Sequence, residues 1–255
     1  MVALLRSRSE LLFAGIGRFG LLMKNAFSQL SYLRLYYKNL VEQFVRVGID
    51  SLPIVALASA FTGAVAAVQS IYQLEGSFYL PKTAVGSFVT TSVTLELGAL
   101  IAAFILAGRV GARIAAELGT MRVTEQIDAL EAMGLNSASY LVLPRVIAGV
   151  LMFPIIYVVA CTVGIGMGVI VGEATGVISV QTFVDGARLL FRPYDLVFGI
   201  TKSLAFGFAI TSVACYYGYF TTGGAEGVGQ STTRATVMAC VFVLLADYVL
   251  AVLML

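Results

Sequence analysis

Five apolar stretches set the pattern of the chain after residue 50. They run over 52–74, opened by Pro53; 84–107; 144–172, opened by Pro144; 194–220, which contains Lys202; and 235–255, which contains Asp247. Each reaches the ~20 residues needed to cross a hydrocarbon layer of ~30 Å. No water is available there to satisfy the backbone, so each is expected to be a helix. The predicted fold class is an all-α integral membrane protein with five transmembrane helices. Two regions of other character accompany them, at 1–48 and at 108–143.

Residues 1–48 are too charged to span, so the chain divides into an N-terminal helical region (1–48) and a five-span body (49–255). Arg34, Lys38, Glu42 and Arg46 recur every four residues, while Leu33, Tyr37, Leu40, Phe44 and Val47 follow a 4-3-4-3 rhythm. The two sets fall on different faces of one helix, which suits the headgroup layer of an anionic leaflet. A helix packed on a soluble partner is the alternative. Arg6, Arg8, Glu10 and Arg18 interrupt the first apolar residues, which argues against a cleaved signal.

The connection 108–143 is the longest polar one between spans. Thr124 suits an N-cap, Glu125 lies in the first turn beyond it, and Gly134 can close a helix in the left-handed conformation. Val123, Ile127 and Leu130 share one face, and Glu125, Asp128 and Glu131 another. A short amphipathic helix of this kind can dock in a groove on a partner or lie against its own bundle. The pattern leaves both open.

Composition agrees with the membrane reading: 59% of residues are hydrophobic and 12% charged, against roughly a quarter charged in soluble domains. With the N-terminus inside, twelve Lys and Arg fall on the inner side and only Lys82, Arg188 and Arg192 on the outer side. That bias predicts a cytoplasmic N-terminus and, after five spans, a C-terminus outside. The net charge of +2 carries no nucleic-acid footprint. Cys161, Cys215 and Cys240 have no CxxC spacing, and His is absent, so neither a metal site nor a disulfide framework is expected. Ala56, Ala60 and Ala64, then Gly164, Gly168 and Gly172, then Gly199, Ser203 and Gly207, form small-residue stripes suited to close helix contact.

Glu96, Lys202 and Asp247 lie inside spans. An unpaired charge at mid-bilayer costs ~2.5–3.5 kcal/mol on insertion scales, so such groups find partners or a wet cavity. At ~1.5 Å per residue, Glu96 lies ~18 Å and Lys202 ~12 Å from the outer ends. An ion pair or shared cavity is expected. Lys202 could attract a lipid phosphate while Glu96 shapes or neutralises the site; a pair that only fixes helix register is the other reading.

No nucleotide site is encoded: GITKS at 199–203 has Thr201 before Lys where a phosphate loop needs Gly, and Val169 and Val171 break a dinucleotide pattern in GIGMGVIVG. No cofactor is expected on this chain. An intramembrane lipid-modifying enzyme would need clustered catalytic groups. A proton-coupled secondary transporter would show an internal inverted repeat. Neither feature is evident.

The stretch ELGALIAAFILAGRVGARIAAELGTMRVTEQIDALEAMGLN, with LPRVIAGVLMFPII, KSLAFG and GAEGVGQSTTRATV, resembles the signature regions of MlaE-like permeases, the membrane subunits of Mla- and Mce-type ABC lipid transporters. The resemblance covers about 49–255, and the N-terminal helix resembles the family's membrane-embedded elbow helix. It implies a homodimer in a bacterial inner membrane, two cytoplasmic ATPase subunits that bind the ATP, and a periplasmic MCE-domain hexamer. A small STAS-domain protein on the ATPase and a lipid at the dimer axis complete the assembly. By motif position, ATPase coupling falls on Glu117, Arg122, Thr124, Glu125, Ile127, Asp128, Leu130 and Glu131. Substrate contact falls on Tyr72, Leu74, Leu95 and Glu96, joined by Lys202. The family motif often carries Arg where this chain has Leu95, so a headgroup contact of that Arg does not transfer.

Overall fold

The computed structural model describes residues 2–28, 37–75 and 81–255, and every regular element among them is helical. Leu33 and Arg34 of the expected N-terminal helix lie outside these residues. The helices are α1 (Val2–Phe27), α2 (Tyr37–Val47), α3 (Leu52–Glu75), α4 (Thr83–Ser92), α5 (Gly98–Leu106), α6 (Ala112–Val123), α7 (Gln126–Ala132), α8 (Ser137–Ala174), α9 (Val180–Leu190), α10 (Pro193–Tyr219) and α11 (Gly224–Met254). Among the described residues five helical segments are long and apolar enough to cross a membrane: Tyr37–Leu74, Thr83–Val123, Ser137–Ala174, Pro193–Tyr219 and Gly224–Met254. One lies over each expected span.

Several boundaries differ from the hydropathy pattern. Residues 108–123, expected within the polar connection, continue the second span through a π-helical turn and α6. Arg113 and Glu117 pair at i,i+4 along its polar side, while Val110, Ile114 and Leu118 are buried on the other, so the helix carries its own support past the apolar run. The third helix begins at Ser137, with Pro144 inside it. Asn136 caps it by accepting from the Ser139 amide at 3.1 Å. Helix α9 was not expected; the Ser179 hydroxyl caps it by accepting from the Thr182 amide at 3.2 Å, and its buried Phe183 packs toward α4 and α8.

The tightest helix contact is between α3 and α8, where a Cβ on Gly63 would collide with the backbone of Gly164. Ser59, Gly63 and Ala67 are the buried small residues of α3. The expected Ala56–Ala60–Ala64 stripe sits one position away and is only half-buried. Gly164, Gly168, Gly172, Gly199, Ser203 and Gly207 are all buried, as their spacing suggested.

The second span is one helix interrupted by two π-helical turns, Val93–Leu97 between α4 and α5 and Ala107–Gly111 between α5 and α6. Such turns divert backbone carbonyls from the regular ladder and often mark functional positions. The first lies inside the bundle and holds Glu96.

Candidate functional site

Three consecutive carbonyls of that first π-helical turn accept hydrogen bonds from side chains of other helices. Cys161 Sγ of α8 donates to Val93 O at 3.7 Å, Tyr157 Oη of α8 to Thr94 O at 2.8 Å, and Lys202 Nζ of α10 to Leu95 O at 3.1 Å. Within the membrane such groups have no water to turn to, so the irregular turn and these donors stabilise each other.

Lys202 is the centre of the site. Its side chain is fully buried, yet it carries a charge. Nζ lies 2.8 Å from Glu96 Oε2 and 2.5 Å from Asp247 Oδ1, and 4.9 Å from the centre of the Phe198 ring. The ammonium donates to Leu95 O and Glu96 Oε2, while Asp247 meets it as an ion pair without hydrogen-bond geometry. The expected Glu96–Lys202 pair is therefore present, and α11 supplies a third member. Asp247 lies seven residues from the end of the final helix, ~11 Å deep, so the same depth count would have put it level with Lys202. One ammonium and two carboxylates leave a formal charge of −1, and Glu96 is the more open acid, 41% exposed against 17% for Asp247.

The other candidate substrate positions are spread out. Leu95 contributes its carbonyl rather than its side chain. Tyr72 and Leu74 lie at the far end of α3, where Tyr72 is 78% exposed. No hydrogen bond or ion pair joins either to the charge cluster among the described residues.

The expected coupling segment folds into the last turns of α6, the short α7 and the start of α8. Thr124 does not cap α7. Its hydroxyl donates back to Thr120 O at 2.8 Å, ending α6, and Glu125 takes the capping position with φ 59°. Gly134, φ 78°, closes the helix as expected: its amide bonds to Glu131 O and that of Leu135 to Leu130 O, at 2.9 and 3.1 Å. Of the expected apolar edge, Val123 is exposed and the other two residues face inward. Ile127 is fully buried and Leu130 half-buried against the core, so the open surface of α7 is its acidic side with Met133 and Leu135. Arg122 braces the segment through Asp128 at 2.6 Å.

Two carboxylates tie this segment to the bundle. Glu131 Oε1 accepts from Ser137 Oγ at 2.7 Å and Tyr219 Oη at 3.0 Å. These bonds, with the charge of Arg122, hold its pKa below the ordinary carboxylate value against a smaller contrary effect of burial. Glu117 receives Arg113 at 2.9 Å, Arg46 at 3.2 Å and Arg145 at 3.3 Å. Glu117 thus points into the protein, joining α2, α6 and α8.

A bundle of membrane-length helices around a buried charge cluster, with an acid-faced helical hairpin at one end, defines an integral membrane protein of several spans. The family described as Permease MlaE matches residues 40–253. A probable ABC transporter permease of Rickettsia bellii is 36% identical, over 95% of this chain and 93% of the relative. The intermembrane phospholipid transport system permease MlaE of Haemophilus influenzae is 32% identical, over 95% and 92%. The chloroplastic protein TRIGALACTOSYLDIACYLGLYCEROL 1 of Arabidopsis thaliana is 36% identical, over 86% of this chain and 62% of its own length. The chain belongs to the MlaE permease family, and it is the membrane subunit of an ABC transporter rather than an enzyme.

Proposed function

We propose that the protein moves phospholipids between the inner membrane and a periplasmic MCE-type partner, and so contributes to the lipid balance of an outer membrane. The observation that carries this reading is a fully buried lysine, held by two acids inside the bundle, in a chain whose relatives include a phospholipid permease. In this reading the α7 end is cytoplasmic, α2 lies in the headgroup layer as an interfacial helix, and the C-terminus is periplasmic. Two copies form a homodimer, an MCE hexamer sits on the α9 face, and the ATP is bound by a dimer of ATPase subunits that can carry a small STAS-domain protein. The acidic side of α7 meets the ATPase, and Glu117 acts from behind it.

Lys202 has no open surface, so its contact with a lipid phosphate requires one acceptor to leave. Glu96, the more exposed acid, is that acceptor. Its departure uncovers the ammonium toward a lipid that also passes Leu95, Tyr72 and Leu74. The test is lipid transfer by the reconstituted permease–ATPase complex. ATP-dependent transfer that ignores a proton gradient supports the ABC reading. Normal transfer by a correctly folded Lys202→Met variant removes the headgroup role.

A further inference from the structure

Where α2 packs on the base of α8, the two helices enclose a cavity of about 210 Å³ lined by Asn39, Glu42, Gln43, Arg46, Tyr140 and Arg145, among others. Arg145 is the unusual member. Its side chain is 9% exposed; Nη1 donates to Leu141 O at 2.6 Å and Nη2 to Glu117 Oε2 at 3.3 Å, while the buried Nε has no hydrogen-bond partner among the described residues. Glu117 is shared with Arg46 and Arg113, side chains 35% and 44% exposed. Arg46 has a second acid in Glu42, and Arg113 has Asp50 at 3.9 Å. Among the described residues Arg145 has no second acid. The most deeply buried of the three guanidiniums is therefore the least neutralised, and a desolvated, incompletely paired charge is unfavourable.

We propose that this cavity binds the phosphodiester headgroup of a phospholipid from the leaflet at the α7 end. The phosphate completes the pairing of Arg145, with Arg46 as the second cation. The amide groups of Asn39 and Gln43 supply neutral donors. Glu42, its side chain half exposed, faces the ammonium of an ethanolamine headgroup at the rim. A lipid fits better than a free anion because Val41 and Val45, on the side of α2 turned away from the cavity, are each 40% exposed. A helix placed at the headgroup layer covers such residues with acyl chains. The site rests on the membrane reading of the chain but not on transport: it is separate from Lys202 and needs no ATP.

The experiment is native mass spectrometry of the full-length protein titrated with phosphatidylethanolamine, and separately with inorganic phosphate. The wild type and Lys202→Met should each retain one tightly held lipid per chain at this site. Losing a charge-assisted contact should weaken that binding about tenfold or more in Arg145→Gln. Because Arg145→Gln can fail to fold, Asn39→Trp provides a second test, filling the cavity while leaving the arginines in place; it should abolish the same adduct. Retention of the lipid in Asn39→Trp, its loss in a correctly folded Lys202→Met alone, or saturation by inorganic phosphate without lipid would each overturn the assignment. If this lipid is bound as expected while the complex transfers no lipid under ATP, the transport reading fails and the site stands.

Discussion

The hydroxyl of Tyr157 reaches across from α8 to donate to the carbonyl oxygen of Thr94, 2.8 Å away, inside the π-helical turn of the second span. Tyr157 is 1% exposed, and its ring end occupies the space above Gly199, where a Cβ would collide with the hydroxyl. One side chain thus fixes the turn that presents Leu95 O and Glu96 to Lys202, and it also sets how closely α10 approaches. Replacing it with Phe keeps the ring and strands a buried acceptor, at about 1–3 kcal/mol. Thermal unfolding of Tyr157→Phe in detergent should show a midpoint lower by several degrees, at roughly 2–4 °C per kcal/mol for a chain of this size. An unchanged midpoint would mean that the Thr94 carbonyl has another donor.

The Lys202–Asp247 pair should behave as a buried unit. Lys202→Met leaves Asp247 with an uncompensated charge, and breaking such a pair from one side costs about 3–5 kcal/mol. Removing both charges together, as in Lys202→Met with Asp247→Leu, leaves only Glu96, the more exposed acid, without its partner. The double variant should be more stable than Lys202→Met alone, with a coupling energy of about 0.5–3 kcal/mol across the cycle. Additive losses would show that the two groups do not sense each other. If the double variant folds yet moves no lipid, the cluster acts in transport beyond its structural part.

Helix contacts should distinguish Gly63 of α3 from Gly166 of α8. Gly164 lies beside the backbone of α3, and its opposite number Gly63 has no room for a Cβ. Gly63→Ala forces the helices apart and should cost about 1–3 kcal/mol. Gly166 has nothing within 4 Å of a built Cβ, so Gly166→Ala should be neutral or stabilising by up to about 1 kcal/mol. Unfolding of the two variants under the same conditions compares them directly. Equal effects would mean that helix propensity, not the α3–α8 approach, decides.

How much of this was legible beforehand depended on the range of the physics involved. The five spans follow from hydropathy, a local property, and the structure has a helix over each. The ends did not follow, because α6 and the first turns of α8 are held by contacts outside the apolar run: Arg113 with Glu117, and Asn136 with the Ser139 amide. The Glu96–Lys202 pair was readable from depth, since two charges at similar height in lipid must find partners. Asp247 carried the same signal from the other end of the chain. The π-helical turn had none: Val93–Leu97 reads as ordinary helix, and only donors from α8 and α10 make its carbonyls useful. Helix α7 shows the limit of periodicity. The pattern identified an apolar edge on Val123, Ile127 and Leu130 but could not say whether it faced a partner or the bundle. Ile127 and Leu130 face the bundle, while Val123, at the end of α6, is exposed.

Glu131 links that small helix to α10, and the link should depend on pH. Its carboxylate accepts from Ser137 and Tyr219, and those bonds favour the ionised form. A carboxyl whose pKa is lower in the folded than in the unfolded protein adds stability that is present above the unfolded-state value. That stability is lost as pH falls through the folded one. At neutral pH, Glu131→Gln should therefore be less stable than the wild type, and the difference should shrink as the solution is taken into acid. Tyr219→Phe removes one of the two donors and leaves Ser137, so it should show a smaller difference with the same pH trend. Because Glu131 is exposed, the effect is modest and should weaken with added salt, to the extent that Arg122 contributes. Unfolding midpoints of the three proteins, followed from neutral pH into the carboxylate range, supply the measurement. A gap between wild type and Glu131→Gln that widens in acid would mean that Glu131 is held protonated, and the hydrogen-bond directions at Ser137 and Tyr219 would have to be reversed.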